Sequence, residues 1–168
     1  MKKAALIYGS DTGFTEEVTY DIVESIDFLE LEVKEVSVVD LSFFSKFDIF
    51  IFGLSTWYDG DLQSDWELFF EDFKKINFTG KTVAIYGLGD QHGYHEYFID
   101  GVGIIAKVVL QKGGKIVGYW PTEGYDFTES KALVNKELFY GLALDQDNET
   151  EHTKARLKKW IAQLKNEF

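Results

Sequence analysis

Three hydroxyl side chains, those of Ser10, Thr12 and Thr15, lie close together in a turn that also contains two glycines. An apolar run over 4–8 predicts a buried strand before this turn, and the pattern over 16–26 predicts a helix after it. A turn between a strand and a helix brings backbone N–H groups to the positive end of the helix dipole, which suits an anion. Because the turn has no lysine, it does not match the nucleoside triphosphatase pattern. Its hydroxyls suit a single terminal phosphate, although the same residue types also serve as ordinary helix caps.

Two later segments carry aromatic rings that are predicted to lie at the tips of polar loops. The loop predicted over 53–62 contains Trp57 and Tyr58, and the loop predicted over 87–98 contains Tyr94. Rings at the tips of polar loops expose apolar surface unless something flat covers them or they fold back on their own helix. Two such loops beside a phosphate turn favour a planar ligand held between two rings, since aromatic stacking adds roughly 0.5–1.5 kcal/mol per pair.

The elements that must position these residues alternate between strand and helix. The apolar runs predict strands over 2–8, 31–36, 47–52, 81–86 and 115–120, and the helical patterns cover 13–27, 63–76, 96–112 and 151–164. This alternation is typical of an α/β fold with a doubly wound five-stranded parallel sheet and helices on both faces. Ligands bind such sheets at the carboxyl ends of the strands. Residues 121–144 fit no element and are predicted to be an excursion.

Length and charge narrow the possible functions. A chain of 168 residues is expected to form a single domain over 1–168. Its net charge of −12 argues against nucleic acid and anionic lipid as partners. The sequence contains no apolar run long enough to span a membrane. The absence of cysteine suits a reducing cytoplasm, where we expect the chain to be a monomer.

Five segments together resemble one family, the flavodoxins. They are the Ser-x-Thr-Gly-x-Thr turn at 10–15, Ser-Thr-Trp-x-x-Gly-Asp-Leu-Gln at 55–63, Gly-Leu-Gly-Asp-Gln-x-Gly-Tyr at 87–94, and the segments 118–127 and 141–148. The last two resemble the long-chain flavodoxins, especially those of cyanobacteria and algae. The resemblance covers essentially the whole chain. It implies a flavodoxin-like fold with an insertion of about 121–144 in the fifth strand.

The resemblance also implies a cofactor, non-covalently bound FMN. In this family Trp57 and Tyr94 would cover the two faces of the flavin, Asp90 would meet its pyrimidine edge, and Asp147 would reach the ribityl hydroxyls. Trp120 would lie near the phosphate end. The full set of residues expected at the cofactor is Ser10, Asp11, Thr12, Gly13, Phe14, Thr15, Ser55, Thr56, Trp57, Tyr58, Gly60, Leu88, Gly89, Asp90, Tyr94, Tyr97, Phe98, Ile99 and Asp147. No catalytic residue and no metal ligand is expected.

The function that the resemblance implies is a low-potential one-electron carrier in place of ferredoxin. Its partners would be redox proteins with basic docking faces, such as ferredoxin-NADP reductase or photosystem I. Carboxylates near the ligand would oppose negative charge on the reduced ring. The chain departs from the family's usual residues at Tyr58, Tyr97, His92 and His95. The alternatives are a flavodoxin-fold NAD(P)H-dependent quinone or nitro reductase and a non-redox phosphate-binding module.

Three other patterns carry little weight. Residues 101–106 match a dinucleotide-binding spacing but fall inside a predicted helix, where glycines favour close packing. The acidic run 145–149 lacks the glycine of a calcium loop. Trp66 and Trp160 occur at helical spacing with other apolar residues, and this predicts packing.

Overall fold

The computed structural model describes residues 1–168. The strands are β1 (Lys2–Tyr8), β2 (Leu29–Glu35), β3 (Ile49–Trp57), β4 (Asp61–Leu62), β5 (Thr82–Leu88), β6 (Lys115–Val117), β7 (Trp120–Pro121), β8 (Leu138–Phe139) and β9 (Leu142–Leu144). The helices are α1 (Phe14–Ser25), α2 (Ser64–Phe73), α3 (Asp100–Gln111) and α4 (Thr150–Glu167), and two short 3₁₀ segments cover Val36–Val38 and Leu41–Lys46.

The central sheet is parallel and has the order β2-β1-β3-β5-β6. The chain moves outward from β1 to β2 and then returns past β1 to β3, so the strand order reverses between β1 and β3. Flavodoxins are themselves the standard example of this order, whose ligand site lies at that switch point. Right-handed crossovers place helices from the two halves on opposite faces. The predicted doubly wound α/β fold is confirmed.

The fifth strand is split into two pieces that both pair with β5. β6 pairs with Thr82–Ala84, and β9 pairs with Tyr86–Leu88 in the same parallel sense. The chain therefore leaves the sheet after Val117 and returns at Leu142, and the intervening segment includes the antiparallel pair β7–β8. The insertion was expected over about 121–144, but 142–144 belongs to the sheet because it completes the strand beside β5.

Two elements differ from the sequence prediction near the carboxyl end of the sheet. β3 continues to Trp57, and β4 turns back to pair with its last residues, so the expected loop 53–62 is mainly a tight hairpin. Helix α3 begins at Asp100 and not at 96, because residues 91–98 form turns that other segments hold. Both differences depend on tertiary contacts.

Aromatic packing fixes one face of the sheet. Phe50 and Phe52 lie on the same face of β3; both rings contact Phe44, and Phe52 also contacts Phe73, with ring centroids 5.4–6.3 Å apart. Trp66 is fully buried against Phe52, which confirms its packing role.

The other face is covered by α1 and α4, which contact one another. The predicted apolar stripe of α4, Leu157, Trp160, Ile161 and Leu164, is buried as expected. None of the four helices combines the length and the apolar composition that a bilayer crossing requires.

Candidate functional site

The hydroxyl-rich turn joins β1 to α1 at the switch point of the sheet. Gly13 has φ +94°, a left-handed conformation that glycine adopts without strain. The Ser10 hydroxyl accepts a hydrogen bond from the Gly13 N–H at 3.0 Å and so closes the turn internally. No side chain caps the N-terminus of α1. The first N–H groups of the helix have no acceptor within it and are available to an anion.

A cavity of about 320 Å³ opens beside this turn. Its size falls within the usual range for small-molecule sites, about 300–1,000 Å³. The expected residues that line it are Thr12, Phe14, Thr15, Ser55, Thr56, Trp57, Leu88, Gly89, Asp90, Tyr94 and Asp147. Gln146 also lines it and was not predicted, although it stands inside the family segment 141–148. No lysine or arginine lines the cavity, so a bound anion would depend on N–H and hydroxyl donors.

The remaining expected residues do not line the cavity: Ser10, Asp11, Gly13, Tyr58, Gly60, Tyr97, Phe98 and Ile99. Phe98 is only 1% exposed, and its ring packs against Tyr125, Phe127 and Phe139 in the core. Ile99 is fully buried with φ +47°, at the position that precedes α3. These two side chains brace the wall from behind because the turns before α3 direct them inward.

The hairpin β3–β4 presents the tryptophan. Trp57 pairs with Asp61 across the hairpin, and the turn between them places Tyr58 at φ +47° and Gly60 at φ +91°. A left-handed backbone is rare for an aromatic residue. Tyr58 is 66% exposed and points away from the cavity, whereas Trp57 lines it.

Two buried polar atoms of this hairpin have no partner. They are the Ser55 hydroxyl oxygen and the indole nitrogen of Trp57. Buried polar groups are nearly always hydrogen-bonded, and an unpartnered one costs free energy. Because both residues line the cavity, a ligand with polar atoms fits the site better than an apolar one.

Asp90 holds the loop that carries Tyr94. Its Oδ1 accepts from the N–H groups of His92 at 3.1 Å and Gly93 at 2.7 Å, and from the side-chain amide of Asn148 at 2.8 Å. Burial would raise the pKa of Asp90, but these donors hold it below its ordinary value. The family resemblance places this side chain at the pyrimidine edge of the flavin, and one of its oxygens is already occupied by the loop itself.

Asp145 is a functional support that the sequence did not reveal. Its carboxylate is fully buried and accepts from the N–H groups of Asp147 at 3.1 Å and Asn148 at 3.0 Å, and from both nitrogens of Gln91. The acidic run 145–149 therefore forms a turn that the carboxylate of Asp145 holds together. No group of acidic or histidine residues has the arrangement of a metal site.

The insertion also holds the loop over 89–99, which carries Tyr94, through hydrogen bonds. The N–H of Asp126 donates to the Gln91 side chain at 2.6 Å, and those of Thr128 and Glu129 donate to the His95 carbonyl at 2.8 and 3.1 Å. The Ser130 hydroxyl donates to the Phe98 carbonyl at 2.5 Å. The loop over 89–99 is thus held between the insertion and the 145–149 turn.

Two carboxyl groups near the cavity have raised pKa values. Burial raises the pKa of Asp147, and the neighbouring carboxylates of Asp90 and Asp145 add to the shift. Burial likewise raises the pKa of Asp100, whose Oδ1 accepts from the N–H of Lys131 at 2.7 Å. The site thus places negative charge around the cavity with few compensating cations.

A second, larger cavity lies on the other side of Trp57. We call it the docking groove; it has a volume of about 800 Å³ and is lined by Asp11, Trp57, Tyr58, Asp61, Leu62, Ser64, Glu67 and Leu68. Leu68 is 85% exposed, which is unusual for a leucine beside another exposed ring. The groove therefore combines an apolar floor with acidic edges next to the ring-lined cavity.

Two expectations from the sequence concern residues outside both cavities. Trp120 was expected near the phosphate end but does not line the cavity, because its indole N–H donates to the Tyr125 hydroxyl at 2.8 Å. The glycines of 101–106 were expected to allow close packing of the helix on the sheet. Gly101 does so, since a Cβ there would lie 2.9 Å from a Leu54 methyl carbon in β3, whereas Gly103 packs on the backbone of Lys131 in the insertion.

Comparison with known proteins identifies the relatives of this chain. The family model described as flavodoxin matches residues 6–160. A flavodoxin of a Nostoc species is 45% identical over 167 residues, covering 99% of this chain and 98% of the relative. A flavodoxin of Synechococcus elongatus is 43% identical over 169 residues, covering 100% and 99%. The crystal structure of Fusobacterium nucleatum flavodoxin bound to flavin mononucleotide is 31% identical, with a TM-score of 0.93 and coverage of 100% and 99%.

Proposed function

The chain belongs to the flavodoxin family, and on that premise we propose that it is a low-potential one-electron carrier with non-covalently bound FMN. The observation that carries the proposal is the cavity at the switch point, which joins an uncapped helix N-terminus to two ring-bearing walls. The chain carries electrons between redox partners and has no substrate of its own. FMN supplies the redox chemistry when it is bound.

The residues present fit FMN from one end of the cavity to the other. The N–H groups of the first turn of α1 and the hydroxyls of Thr12 and Thr15 would hold the phosphate. The rings of Trp57 and Tyr94 would enclose the flavin. The unpartnered hydroxyl of Ser55 would gain a hydrogen bond on binding.

The surrounding charge supports a low potential. Asp90, Asp100 and Asp147 lie in the walls of the cavity or directly behind them, and no lysine or arginine lines it. At an effective dielectric constant near 20 and about 10 Å, each carboxylate opposes added negative charge by about 1–2 kcal/mol before screening by salt. Reduction that adds negative charge to the ring is therefore disfavoured, so the reduced protein is a strong donor.

We place the partners at the docking groove. Its acidic edges, Asp11, Asp61 and Glu67, complement a basic surface, and Leu68 offers an apolar contact beside Trp57. Redox proteins with basic faces, such as ferredoxin-NADP reductase or photosystem I, have the required charge. A monomer leaves this face open to them. A cytoplasmic location is part of the same proposal, supported by the cysteine-free composition.

The test uses the purified protein. Its absorbance spectrum should show flavin bands, and denaturation should release FMN in a 1:1 ratio to protein. Reduced by ferredoxin-NADP reductase and NADPH, the holoprotein should pass electrons to an acceptor protein. A protein that neither contains nor binds FMN would contradict the proposal, as would turnover of a quinone by NADPH with this protein alone.

A further inference from the structure

A carboxylate stands in the middle of the anion-binding turn. Asp11 lies between the hydroxyl residues Ser10 and Thr12, where a negative charge facing the cavity would oppose a phosphate. Its side chain does not line the cavity but faces the N-terminus of α2. There its Oδ1 accepts from the Ser64 hydroxyl at 2.5 Å and from the Gln63 side-chain amide at 3.0 Å.

The beginning of α2 is a firm support for this contact. Gln63 is fully buried, and its Oε1 accepts from the N–H of Trp66 at 3.2 Å. The indole N–H of Trp66 donates to the Gly53 carbonyl in the sheet at 3.0 Å. Gly9 packs directly on Gln63, since a Cβ there would lie 1.9 Å from the Gln63 Oε1. The start of α2 is thereby tied to the sheet and to the first residue of the turn.

We propose that Asp11 is a positioning residue for the phosphate turn, which it anchors to α2 through Ser64 and Gln63. This inference rests on the proposed function, since the group to be positioned is the FMN phosphate. Within the turn, the hydrogen bond from the Gly13 N–H to the Ser10 hydroxyl is internal and does not tie the turn to another element. The anchor outside it fixes the donors before the ligand arrives and so reduces the entropy lost on binding. The positive end of the α2 dipole offsets the charge of Asp11.

A double-mutant cycle between Asp11 and Ser64 tests this assignment. The four apoproteins are the unsubstituted chain, Ser64→Ala, Asp11→Ala and the double variant, and their Kd values for FMN and riboflavin are measured by fluorescence titration. Asp11→Ala also removes a charge near the phosphate. That effect cancels because the quantity of interest is the effect of Ser64→Ala in the two backgrounds. Alanine is a good helix former at position 64, so α2 remains stable.

Ser64→Ala should lower the affinity for FMN about three- to tenfold when Asp11 is present, and less than about twofold when position 11 is alanine. The Kd for riboflavin, which lacks the phosphate, should change less than about twofold in every variant. The control is Ser25→Ala, which removes a hydroxyl that donates to the Asp21 carbonyl at 2.7 Å near the end of α1. This control should bind both ligands as the unsubstituted protein does.

Three results would overturn the inference, and they differ from failure of the proposed function. An equal effect of Ser64→Ala in both backgrounds would show that Asp11 does not act through Ser64. No effect in either background would show that the anchor is irrelevant to binding. Equal losses for FMN and riboflavin would show a general structural role. Failure of the unsubstituted protein to bind FMN would instead refute the proposed function, and this inference with it.

Discussion

The buried carboxylate of Asp145 accepts two hydrogen bonds from Gln91, one from its backbone N–H at 3.2 Å and one from its side-chain amide at 2.8 Å. The side-chain oxygen of the same glutamine accepts from the N–H of Asp126 in the insertion at 2.6 Å. Gln91 therefore joins three segments: the loop that carries Tyr94, the turn that carries Asp147, and the insertion. The parts of the cavity lining that carry Tyr94 and Asp147 depend on this one side chain.

Gln91→Leu should destabilise the protein and weaken its binding of FMN. The substitution removes one donor to the buried Asp145 and leaves the N–H of Asp126 without its acceptor. We expect the free energy of unfolding of the apoprotein to fall by about 2–4 kcal/mol. Denaturant unfolding and FMN titration measure the two effects.

The matched control is Gln163→Leu, which removes donors to the Tyr119 carbonyl and to Glu167 on the surface of α4. It should cost less than about 1 kcal/mol and leave FMN affinity unchanged. Equal destabilisation by the two substitutions would contradict the joining role of Gln91.

The sequence predicted the parts of the site that depend on local pattern. The turn with Ser10 and Thr12 could be recognised because a strand, a glycine and a helix start occur within a few residues. The ring positions Trp57 and Tyr94 could be recognised because they follow buried strands. The resemblance to a family then placed these segments at one cofactor.

The supports of the site could not be predicted in this way. Gln91 and Asp145 are 54 residues apart, and neither periodicity nor local composition relates them. Phe98 was expected at the ligand but fills the core, whereas Asp90 lines the cavity and also holds its own loop. Their side-chain directions follow from tertiary contacts that a residue-type argument does not contain.

Thr12→Val together with Thr15→Val should lower the affinity for FMN far more than the affinity for riboflavin. Valine keeps the shape of threonine but removes the hydroxyl, and hydrogen bonds to a charged group contribute about 1.5–3 kcal/mol each. We expect FMN affinity to fall by at least about a hundredfold and riboflavin affinity by less than about fivefold. Thr122→Val, in the insertion and away from the cavity, is the control. Equal losses for the two ligands would mean that the phosphate lies elsewhere.

Trp57→Leu and Tyr58→Leu should have different effects although the residues are adjacent. Trp57 lines the cavity, whereas Tyr58 is 66% exposed on the side of the docking groove. Loss of stacking and of buried ring area should lower FMN and riboflavin affinity equally, about ten- to a hundredfold, for Trp57→Leu. Tyr58→Leu should change either affinity by less than about threefold. A stronger effect of Tyr58→Leu would show that its ring, and not that of Trp57, covers the flavin.

Asp100→Asn should increase stability at neutral pH. Burial raises the pKa of Asp100 above its ordinary value of 3.8, so its ionised form is disfavoured in the folded protein. The neighbouring charges are Lys131, Lys107 and Glu129. Relative to the variant, the unsubstituted protein should gain stability as pH falls through the raised pKa toward 3.8. Below 3.8 the difference should vanish because the carboxyl is then protonated in both states. Denaturant unfolding between pH 3 and 7 measures this difference, with both proteins as apoproteins.

Glu149→Gln should change stability at neutral pH in the opposite direction to Asp100→Asn. Burial would raise the pKa of Glu149, but Arg156 at 2.8 Å holds it below its ordinary value of 4.5. The contact joins Oε2 and Nη1 as an ion pair whose angles depart from hydrogen-bond geometry. Glu149→Gln should therefore lower stability at neutral pH, and the loss should fade as pH falls below 4.5 through the depressed pKa. The same pH dependence for both variants would show that burial and charge do not act as assigned.

Glu67→Gln and Leu68→Ser should separate the charged and apolar contributions of the docking groove. The carboxylate of Glu67 steers a basic partner from a distance, so Glu67→Gln should slow association with ferredoxin-NADP reductase about two- to fivefold at low salt, an effect lost at high salt. Leu68 is 85% exposed, and its burial on docking gives a contact that salt does not screen, so Leu68→Ser should speed dissociation about three- to tenfold at every salt concentration. Stopped-flow measurement of flavin oxidation across a salt series resolves both effects.

Glu24→Gln, in the separate cavity between α1 and α4, is the charge-matched control and should match the unsubstituted protein. If Glu24→Gln slowed association as much as Glu67→Gln, only net charge would matter, and the docking groove would not be the contact surface.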